Sequence, residues 1–289
     1  MIICSTCGGT LETIDIKCSE CGHEVVRIDG ILALAPELAH GGGGFEADAF
    51  ARLYEQESKH FWFRVRNDLL LNIIRRFKPD VRSFFEIGCG TGYVMHAIAQ
   101  EFPESQISGG EVFVNGLSFA GLRVPRAMLM QIDARKLPFV EEYDLIGMFD
   151  VLEHIPEDEQ VLENVYRALK PGGMLLCSVP QHMWMWSDVD TFSHHARRYE
   201  RGELERKGKK AGFQVVRSTS FMSFLLPIMY ISRLQQRSRM KRADGMGEYN
   251  ISPLVNSFFE AVCRFELLWI NAGFSFPFGG SRIVLLQKS

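Results

Sequence analysis

The chain lacks long hydrophobic runs, a strong net charge and a cysteine-rich composition, and each absence narrows its class. No apolar stretch reaches the roughly eighteen residues that a membrane-spanning helix requires. The first residues do not combine a basic region with a long apolar run, so we expect no secretory signal. Only seven of 289 residues are cysteine, and four of them form two C-x-x-C pairs. That usage indicates metal binding in a reducing compartment rather than disulfides, so we expect a cytoplasmic protein.

The net charge of −3 is small but unevenly distributed. Residues 197–242 hold 13 Lys and Arg against 3 Glu, a local balance of +10, so the remainder of the chain carries −13. This asymmetry is more informative than the total charge. The length and the hydrophobic content of 46% are enough for one large core and a small additional module.

A glycine-rich turn is the strongest functional motif. An apolar strand ends at Glu86 and leads through Gly88, Gly90 and Gly92 into a helix. Glycine removes side chains where the backbone passes close to a ligand, and the helix aims unpaired N–H groups at that ligand. The pattern predicts the nucleotide-binding turn of a doubly wound α/β sheet, but Tyr93 at the sixth position departs from the dinucleotide fingerprint. The form E-x-G-x-G-x-G resembles motif I of class I S-adenosylmethionine (SAM) methyltransferases.

Carboxylates at the tips of the next strands extend this pattern. Glu111 ends a strand 19 residues after Gly92, where it can accept hydrogen bonds from ribose hydroxyls. Asp133 ends a third strand, where it can accept a hydrogen bond from an adenine amino group. Further strands are predicted at 143–150 and 174–179. The order and spacing resemble the class I methyltransferase core, which implies a Rossmann-like, seven-stranded, doubly wound α/β sheet that binds SAM. The alternative is a set of buried strands with polar ends. The expected cofactor-binding residues are Glu86, Gly88, Cys89, Gly90, Gly92, Glu111, Val112, Asp133, Ala134 and Phe149.

The N-terminal segment carries the two cysteine pairs. Cys4 with Cys7 and Cys18 with Cys21 predict a tetrahedral, structural Zn²⁺ site of four thiolates, the alternative being a redox dithiol. Residues 2–36 resemble the zinc-ribbon activator subunits of tRNA, rRNA and protein methyltransferases, which bind their catalytic partners by a strand-to-strand contact. The resemblance implies a structural or docking role for the zinc.

Composition shifts predict the domain organisation. A run of four glycines after residue 40 marks a linker, and the segment before the last strand exceeds what the core fold requires. The predicted units are a zinc ribbon at 1–36, a Gly-rich linker at 37–48, a SAM-binding core at 49–220, a helical lid or acceptor insertion at 221–280 and the last core strand at 281–289.

An aromatic stretch precedes the glycine-rich turn. Helices at this place cover the SAM pocket in class I methyltransferases, so the resemblance implies that Phe61, Trp62 and Phe63 form a lid and that Arg64 or Arg66 lies near the cofactor carboxylate. For the aromatic residues, the alternative is ordinary packing of an amphipathic helix against the sheet. For the arginines, the alternative is a basic helix face that is exposed to solvent.

The first candidate for chemistry follows the fourth strand. Methyl transfer requires the acceptor atom to be positioned behind the methyl group, and a hydroxyl acceptor also requires a base. His154 has a suitable pKa range. The segment from Asp150 through Glu153 to His154 resembles the E-x-x-E-H element of ubiquinone-biosynthesis O-methyltransferases, in which the carboxylates and the His are associated with a divalent cation. Asp150 replaces the first Glu of that element. The alternative is a structural histidine.

The second candidate follows the fifth strand. The pattern D-x-x-x-x-H-x-R-R-Y, from Asp190 to Tyr199, resembles a broad bacterial group of SAM methyltransferases, many of which act in cell-envelope glycan or lipid pathways. By position, His195 and Arg198 hold the acceptor and Asp190 orients one of them. The alternative is a buried network that locks the loop, which we favour for Arg197 and Tyr199. The predicted catalytic residues are therefore His154, Asp150, Glu153 and His195.

An apolar run and a basic cluster make up residues 221–242. This composition suits an anionic membrane surface, so one expectation is a peripheral contact at the inner membrane. The other expectation is an acceptor that carries a phosphate on a lipid tail. A lid helix with a solvated basic end is the alternative, and nucleic acid is less favoured. The basic residues are Arg233, Arg237, Arg239, Lys241 and Arg242.

The sequence thus predicts a SAM-dependent methyltransferase with structural zinc. The leading acceptor is a small or lipid-linked molecule (a glycan, polyprenyl or quinone-like compound) methylated on oxygen. One alternative is an RNA or protein methyltransferase that uses the zinc ribbon for docking. The other is a SAM-binding adaptor without catalysis.

Overall fold

The computed structural model describes residues 1–13, 17–40, 47–238 and 251–289, and of residues 47–49 and 234–238 only the backbone. Residues 41–46, half of the predicted Gly-rich linker at 37–48, therefore lie outside the described residues. So do Arg239, Lys241 and Arg242 of the predicted basic cluster, and the side chain of Arg237 is not described.

Short strands make up the N-terminal module. They are β1 (Ile2–Ile3), β2 (Thr10–Leu11), β3 (Val26–Ile28) and β4 (Ile31–Ala33). The first two form an antiparallel pair that carries the first cysteine turn, and the last two form a hairpin. A 3₁₀ turn at Pro36–Leu38 follows the hairpin.

The seven strands of the predicted core are all present. They are β5 (Ser83–Ile87), β6 (Gln106–Glu111), β7 (Met128–Gln131), β8 (Tyr143–Phe149), β9 (Leu169–Pro180), β10 (Gln214–Phe221) and β11 (Ser281–Gln287). Every residue of β5 is buried, as expected for an apolar strand at the centre of a doubly wound sheet.

Helices cover both faces of the sheet. They are α1 (Ala47–Gln56), α2 (Phe61–Phe77), α3 (Tyr93–Glu101), α4 (Val114–Arg123), α5 (Asp158–Ala168), α6 (Asp188–Phe192), α7 (Glu203–Lys210), α8 (Leu226–Ser238) and α9 (Pro253–Asn271). In the part of the chain that the structure describes, no helix combines the length and hydrophobicity that a membrane crossing requires.

The sheet is larger than the sequence predicts. Its strand order among the described residues is β10-β11-β9-β8-β5-β6-β7-β4-β3, so the N-terminal hairpin extends the seven expected strands to nine. Strand β4 pairs in parallel with β7, with Leu32 opposite Met130. The Gln131 side chain strengthens this junction, because its Oε1 accepts from the Ala35 N–H at 3.1 Å and its Nε2 donates to the Ala35 carbonyl at 2.8 Å.

The N-terminal module also shares the hydrophobic core. Ile2, Leu11 and Leu32 are buried in one cluster with Phe139 and Phe85 of the sheet core. The backbone of β1 bonds to the loop before β8 as well, since the Ile3 N–H donates to the Pro138 carbonyl at 2.7 Å. The zinc-ribbon segment is therefore packed as part of the main body.

The insertion places α9 beside the aromatic helix α2. The ring centroids of Phe61 and Phe259 lie 5.4 Å apart, and the Phe61 N–H donates to Asn256 Oδ1 at 2.8 Å. Arg64 forms an ion pair with Glu260 of α9. These contacts put the insertion over the carboxyl ends of the parallel strands, where ligands bind in sheets of this kind.

Candidate active site

The glycine turn between β5 and α3 has the backbone that its sequence requires. Gly88, Gly90 and Gly92 have φ of +71°, +50° and +76°, values that residues other than glycine rarely adopt. A Cβ on Gly88 would lie 2.3 Å from Val151 Cγ2, and one on Gly92 would lie 3.0 Å from the Ala120 backbone. At Gly90 the nearest atom would be 3.9 Å away, so that glycine borders open space.

Two carboxylates stand beside this turn. Glu111 accepts hydrogen bonds from the backbone N–H of Gly90 at 3.1 Å and of Val112 at 2.8 Å, and burial raises the pKa of its carboxyl group. Asp133 accepts from the Arg135 backbone N–H at 2.9 Å and forms an ion pair with that side chain. Both carboxylates that are expected to bind the nucleotide thus accept hydrogen bonds from the protein itself, at the edge of the cavity.

One cavity of 990 Å³ joins the predicted cofactor and catalytic residues. A space of this size holds a nucleoside-sized cofactor together with an acceptor. Of the predicted cofactor residues, nine line it: Glu86, Gly88, Cys89, Gly90, Glu111, Val112, Asp133, Ala134 and Phe149. Gly92 is not among the lining residues, because it begins α3 and packs against α4.

Glu86 at the tip of β5 is fully enclosed. It is 3% exposed, and its Oε2 has no hydrogen-bond partner among the described residues. Burial raises the pKa of this carboxyl group to about 8. A cation in the cavity would stabilise the ionised form.

The aromatic helix α2 closes one side of the cavity. Phe61, Trp62 and Phe63 all line it. Arg66 is buried there, stacks on Trp62 with its guanidinium carbon 4.2 Å from the ring centroid, and forms an ion pair with Asp150. Of the two arginines in the prediction, only Arg66 lines the cavity.

Three predicted catalytic residues form a cluster at the other end. One ligating atom from each of Glu153, His154 and His195 lies within 4.8 Å of the others, and the two imidazole centroids are 4.6 Å apart. Glu153 is 0% exposed, and neither of its carboxylate oxygens has a hydrogen-bond partner among the described residues. Burial, followed by the Asp150 charge, raises the pKa of Glu153 well above its usual range.

The protonation state of His154 follows from its surroundings. Burial, followed by the neighbouring His195, lowers its pKa to about 4. A hydrogen bond to the Ser193 backbone acts in the opposite direction. His154 is therefore a neutral imidazole at pH 7, with one ring nitrogen bound to the backbone and the other available as an acceptor.

Asp190 holds the loop that carries His195. Its Oδ1 lies 2.9 Å from His195 Nδ1 and accepts from Arg198 Nε at 2.7 Å. Its Oδ2 accepts from the backbone N–H and the hydroxyl of Ser187 at 2.8 and 3.0 Å. Burial alone would raise the Asp190 pKa, but the His195 and Arg198 hydrogen bonds bring it below its ordinary value.

The part of the chain that carries the turn and the strand-tip carboxylates matches a known protein family. A family model described as a methyltransferase domain matches residues 54–218, which is more than half of the chain. The chain belongs to this methyltransferase family. The glycine turn, Glu111, Asp133 and the Glu153–His154–His195 cluster all lie within the matched segment.

Relatives and solved structures agree with the family. A Mycolicibacterium smegmatis protein described as a probable S-adenosylmethionine-dependent methyltransferase is 27% identical over 160 residues, 54% of this chain and 61% of that protein. The malonyl-[acyl-carrier protein] O-methyltransferase of Bacillus cereus is 28% identical over 144 residues, 48% of this chain and 51% of that protein. The chain thus spans less than two thirds of either relative.

A solved complex between the Haloferax volcanii Trm112 methyltransferase activator and a methyltransferase shares the fold. The TM-score is 0.56 at 16% identity, over 84% of this chain and 97% of that chain. At this identity the likeness shows the fold alone: a Rossmann-like α/β methyltransferase fold with a mostly parallel sheet, as the sequence predicts.

The four cysteines of this methyltransferase-family chain fit a zinc ion. Sγ atoms of Cys4 and Cys21 lie 3.7 Å apart, and those of Cys7 and Cys18 lie 3.6 Å apart. Tetrahedral Zn–S bonds of about 2.3 Å require sulfur separations of about 3.8 Å. Gly8 follows the first pair with φ of +79° and its N–H donates to the Cys4 carbonyl, so the turn directs both sulfurs to one point.

The divalent-cation element fits the structure only in part. Glu153 and His154 lie in the cluster, but Asp150 is paired with Arg66 and is not part of that group. His195 occupies the third position instead. Arg197 forms an ion pair with Asp158, and the Tyr199 hydroxyl donates a hydrogen bond to the same carboxylate at 2.6 Å. These contacts agree with the alternative interpretation, in which the two residues hold the loop in place.

Sequence reasoning missed a polar network behind the cofactor turn. Glu57, the residue after α1, accepts from the Thr91 hydroxyl at 2.6 Å and forms an ion pair with Arg123 at 2.5 Å. Arg123 also donates to the Tyr54 carbonyl at 2.9 Å. The network ties α1 to the turn. Its members are 34 and 66 residues apart in the chain, and no local spacing signals their contact.

Proposed function

We propose that this chain transfers the methyl group of SAM to an oxygen atom of a small or lipid-linked acceptor. The observation that carries the proposal is the single cavity that joins the glycine turn and its carboxylates to the Glu153–His154–His195 cluster. A nucleoside cofactor and an acceptor bound in that one cavity would meet between the two ends.

The residues divide into a cofactor end and an acceptor end. When bound, SAM supplies an electrophilic methyl group on a sulfonium. Glu111 would exchange its backbone partners for ribose hydroxyls, and Asp133 would accept from the adenine amino group. Gly90 leaves the backbone open to the cofactor, because the cavity occupies the space of its absent side chain. Glu86, protonated in the empty cavity, would ionise beside a cationic ligand.

His154 is our proposed base. Because its imidazole is neutral at pH 7, its acceptor nitrogen can take the proton of an acceptor hydroxyl as the oxygen attacks. His195, held by Asp190, would orient the acceptor beside it. The ion pair with Asp150 positions Arg66 of the lid helix α2 over the cavity. Asp150 would therefore position the lid and take no part in the transfer of the acceptor proton. The B. cereus relative is named an O-methyltransferase, which supports oxygen as the proposed target here.

A structural Zn²⁺ at Cys4, Cys7, Cys18 and Cys21 completes the proposal. The sulfur separations match a tetrahedral thiolate site. The zinc would hold the cysteine turns in place, while β4 attaches the ribbon to β7. We also propose a peripheral contact of residues 221–242 with the inner surface of a membrane.

Methylation of RNA or protein is the second candidate. It is favoured by the Trm112 complex among the solved structures, since that activator is named there as a methyltransferase partner. In that case the ribbon would dock the macromolecule. A SAM-binding adaptor without turnover is the third candidate.

The first test is binding followed by labelling. We expect S-adenosylhomocysteine to bind one to one in calorimetry, and Gly90→Arg to abolish that binding because its side chain would fill the cavity. The protein is then incubated with methyl-tritiated SAM and a host extract, which is separated into lipid, small-molecule, RNA and protein fractions. Label in lipid or small molecules supports the proposal. Label in RNA or protein overturns it in favour of the second candidate, and cofactor binding without label anywhere favours the adaptor.

A further inference from the structure

Helix α9 is apolar on its outward face as well as on its inward face. The inward residues Cys263, Leu267 and Ile270 are buried in the hydrophobic core. On the opposite side a stripe of exposed residues recurs at spacings of three and four positions: Leu254, Phe258, Ala261, Phe265 and Leu268. Its end members Leu254 and Leu268 are 85% and 65% exposed. A helix that is apolar all round is normally buried, so the outward face calls for a partner.

Aromatic rings widen this stripe at the C-terminal half of the helix. The ring centroid of Phe265 lies 6.3 Å from that of Trp269 and 5.9 Å from that of Phe224. Trp269 in turn lies 5.2 Å from Phe274, and all four side chains are exposed. We call the stripe and these four rings the α9 surface. Single exposed apolar residues are common on proteins, whereas a connected patch of them marks an interaction site.

Two positively charged side chains stand at the C-terminal end of the α9 surface. Arg76 donates to the Asn271 carbonyl at 2.9 Å, and Arg217 donates to the Gly273 carbonyl at 2.8 Å and to the Phe274 carbonyl. Neither guanidinium forms an ion pair with a carboxylate within the described part of the chain. Burial, followed by the charge of Arg76, lowers the pKa of Arg217, which agrees with two cations close together. Backbone carbonyls leave both charges uncancelled, so this end of the surface suits an anion.

The acidic groups of the same helix layer already have partners. Arg264 is exposed on α9 and lies 2.9 Å from a carboxylate oxygen of Asp68 and 2.9 Å from one of Glu260. A second copy of the chain on the α9 surface would therefore bring carboxylates that arginine already neutralises. An anionic lipid surface instead supplies phosphates for Arg76 and Arg217 and hydrocarbon for the stripe.

The dimensions suit a helix that lies in the plane of a bilayer. The stripe from Leu254 to Leu268 extends about 21 Å at the helical rise of about 1.5 Å per residue. Trp269 stands at the end that carries the arginines, and tryptophan favours the boundary between hydrocarbon and headgroups. Phe259, on another side of α9, lines the cavity. The helix would then lie between the bilayer and the cavity.

We propose that the α9 surface binds an anionic phospholipid bilayer, with its apolar stripe at the boundary of headgroups and acyl chains and with Arg76 and Arg217 at lipid phosphates. The surface lies outside residues 221–242 except at Phe224. It does not depend on the proposed methyl transfer, which concerns the cavity.

The test is cosedimentation of the full chain with phospholipid vesicles, in the absence of SAM and acceptor. One set of vesicles contains equal parts of phosphatidylglycerol and phosphatidylcholine, and the other contains phosphatidylcholine alone. We expect binding to the anionic vesicles to be about tenfold tighter or more, because two basic side chains approach the lipid phosphates.

Matched variants locate the contact. Leu268→Ser should weaken binding to anionic vesicles by about tenfold or more, because a leucine is withdrawn from the apolar phase. Leu122→Ser makes the same change at a 70% exposed leucine of α4 and should leave binding unchanged. Arg76→Gln should weaken binding by about fivefold, and Arg76→Lys, which keeps the charge, should retain most of it. Melting temperatures are compared first, and Phe258→Ser on the same stripe replaces Leu268→Ser if that variant does not fold.

Each contrary result overturns a stated part of the proposal. Absence of vesicle binding overturns the whole, and equal binding to both kinds of vesicle overturns the contact of the arginines with phosphate. An equal loss in Leu268→Ser and Leu122→Ser overturns the assignment to α9. So does a loss in Ile231→Ser of α8 with none in Leu268→Ser, which would give the contact to residues 221–242 instead. A dimer in light scattering that Leu268→Ser dissociates, without vesicle binding, would assign the surface to a second copy.

Discussion

At the residue scale, His154, our proposed base, is a half-buried imidazole whose neutral state is set by the protein around it. Because its pKa is about 4, acidification to pH 5 leaves it unprotonated. We predict that His154→Gln lowers kcat by about a hundredfold or more, the usual contribution of a positioned base. Cofactor affinity should stay unchanged, since His154 lies at the acceptor end.

The matched control is the exposed neighbour His194, which has φ of +53°. His194→Asn should leave kcat unchanged, because Asn tolerates that backbone conformation. Turnover of His154→Gln at the rate of the unmodified chain would remove His154 from the mechanism. Steady-state rates with the acceptor fraction found by labelling provide the measurement.

A second prediction at the residue scale concerns the pKa of Glu86 and its effect on stability. Its pKa is raised from 4.5 to about 8, so both folded and unfolded chains hold its proton below pH 4.5. As the pH rises from 4.5 to about 8, the unfolded chain releases the proton first, and this group removes stability. We predict that Glu86→Gln raises the melting temperature of the ligand-free protein at pH 8 and flattens its decline over that interval.

The same variant should respond differently to ligand. If the ionised Glu86 faces a cationic cofactor, Glu86→Gln weakens SAM binding at pH 8 while it stabilises the empty protein. Thermal melts and calorimetry across the pH range test both effects. An unchanged pH dependence of the melting temperature would mean that Glu86 titrates normally.

Local pattern predicted individual site residues better than it predicted their partners. Glu86 and Glu111 were identifiable because strand ends and glycine spacing are short-range signals. The pairing of Arg66 with Asp150 joins residues 84 positions apart, and only the packing of α2 against the sheet brings them together. Arg233 was predicted within a basic cluster at a membrane or solvent surface, and its inward orientation depends on which side of α8 meets the cavity.

At the element scale, the turn between β5 and α3 tests the cofactor site without disturbing the core. Gly90 has φ of +50°, and its Cβ would enter the cavity. We predict that Gly90→Ala lowers affinity for S-adenosylhomocysteine by tenfold or more, because a methyl group occupies the path of the ligand.

Gly172 supplies the matched control for backbone strain. It has φ of +73°, and its Cβ would meet no described atom within 4 Å. Both alanine variants pay a similar conformational cost of about 1 kcal/mol. Calorimetry should show a loss for Gly90→Ala alone; an equal loss in both variants would mean that backbone strain, and not the cavity, determines affinity.

The sequence pattern also predicted the strands and helices of the core more fully than it predicted which strands pair in the sheet. The seven expected strands alternate with helices along the chain, and that order leaves few topologies. The pairing of β4 with β7 has no comparable signal, because strands this short carry little register information and the contact depends on an open sheet edge. The resemblance to activator subunits implied a strand contact but not which edge receives it.

At the scale of the whole molecule, the N-terminal module and the methyltransferase sheet share one buried cluster and one sheet. Cys4 and Cys18 belong to the same buried cluster as Phe139, and β4 continues the sheet beyond β7. Metal bound at the cysteines would therefore stabilise the entire fold. We predict that Cys18→Ser removes bound zinc and lowers the melting temperature in a single transition, by about 2–4 °C for each kcal/mol lost in a chain of this size.

Cys263→Ser is the matched control, because Cys263 is equally buried but lies in α9 away from the other cysteines. It should keep one zinc per chain by mass spectrometry, and a chelator should lower its melting temperature as it does that of the unmodified chain. The Cys18→Ser protein should no longer respond to chelator. A separate low-temperature transition with an unchanged main transition would show instead that the ribbon unfolds on its own, and that its strand pairing with β7 contributes little to the stability of the catalytic body.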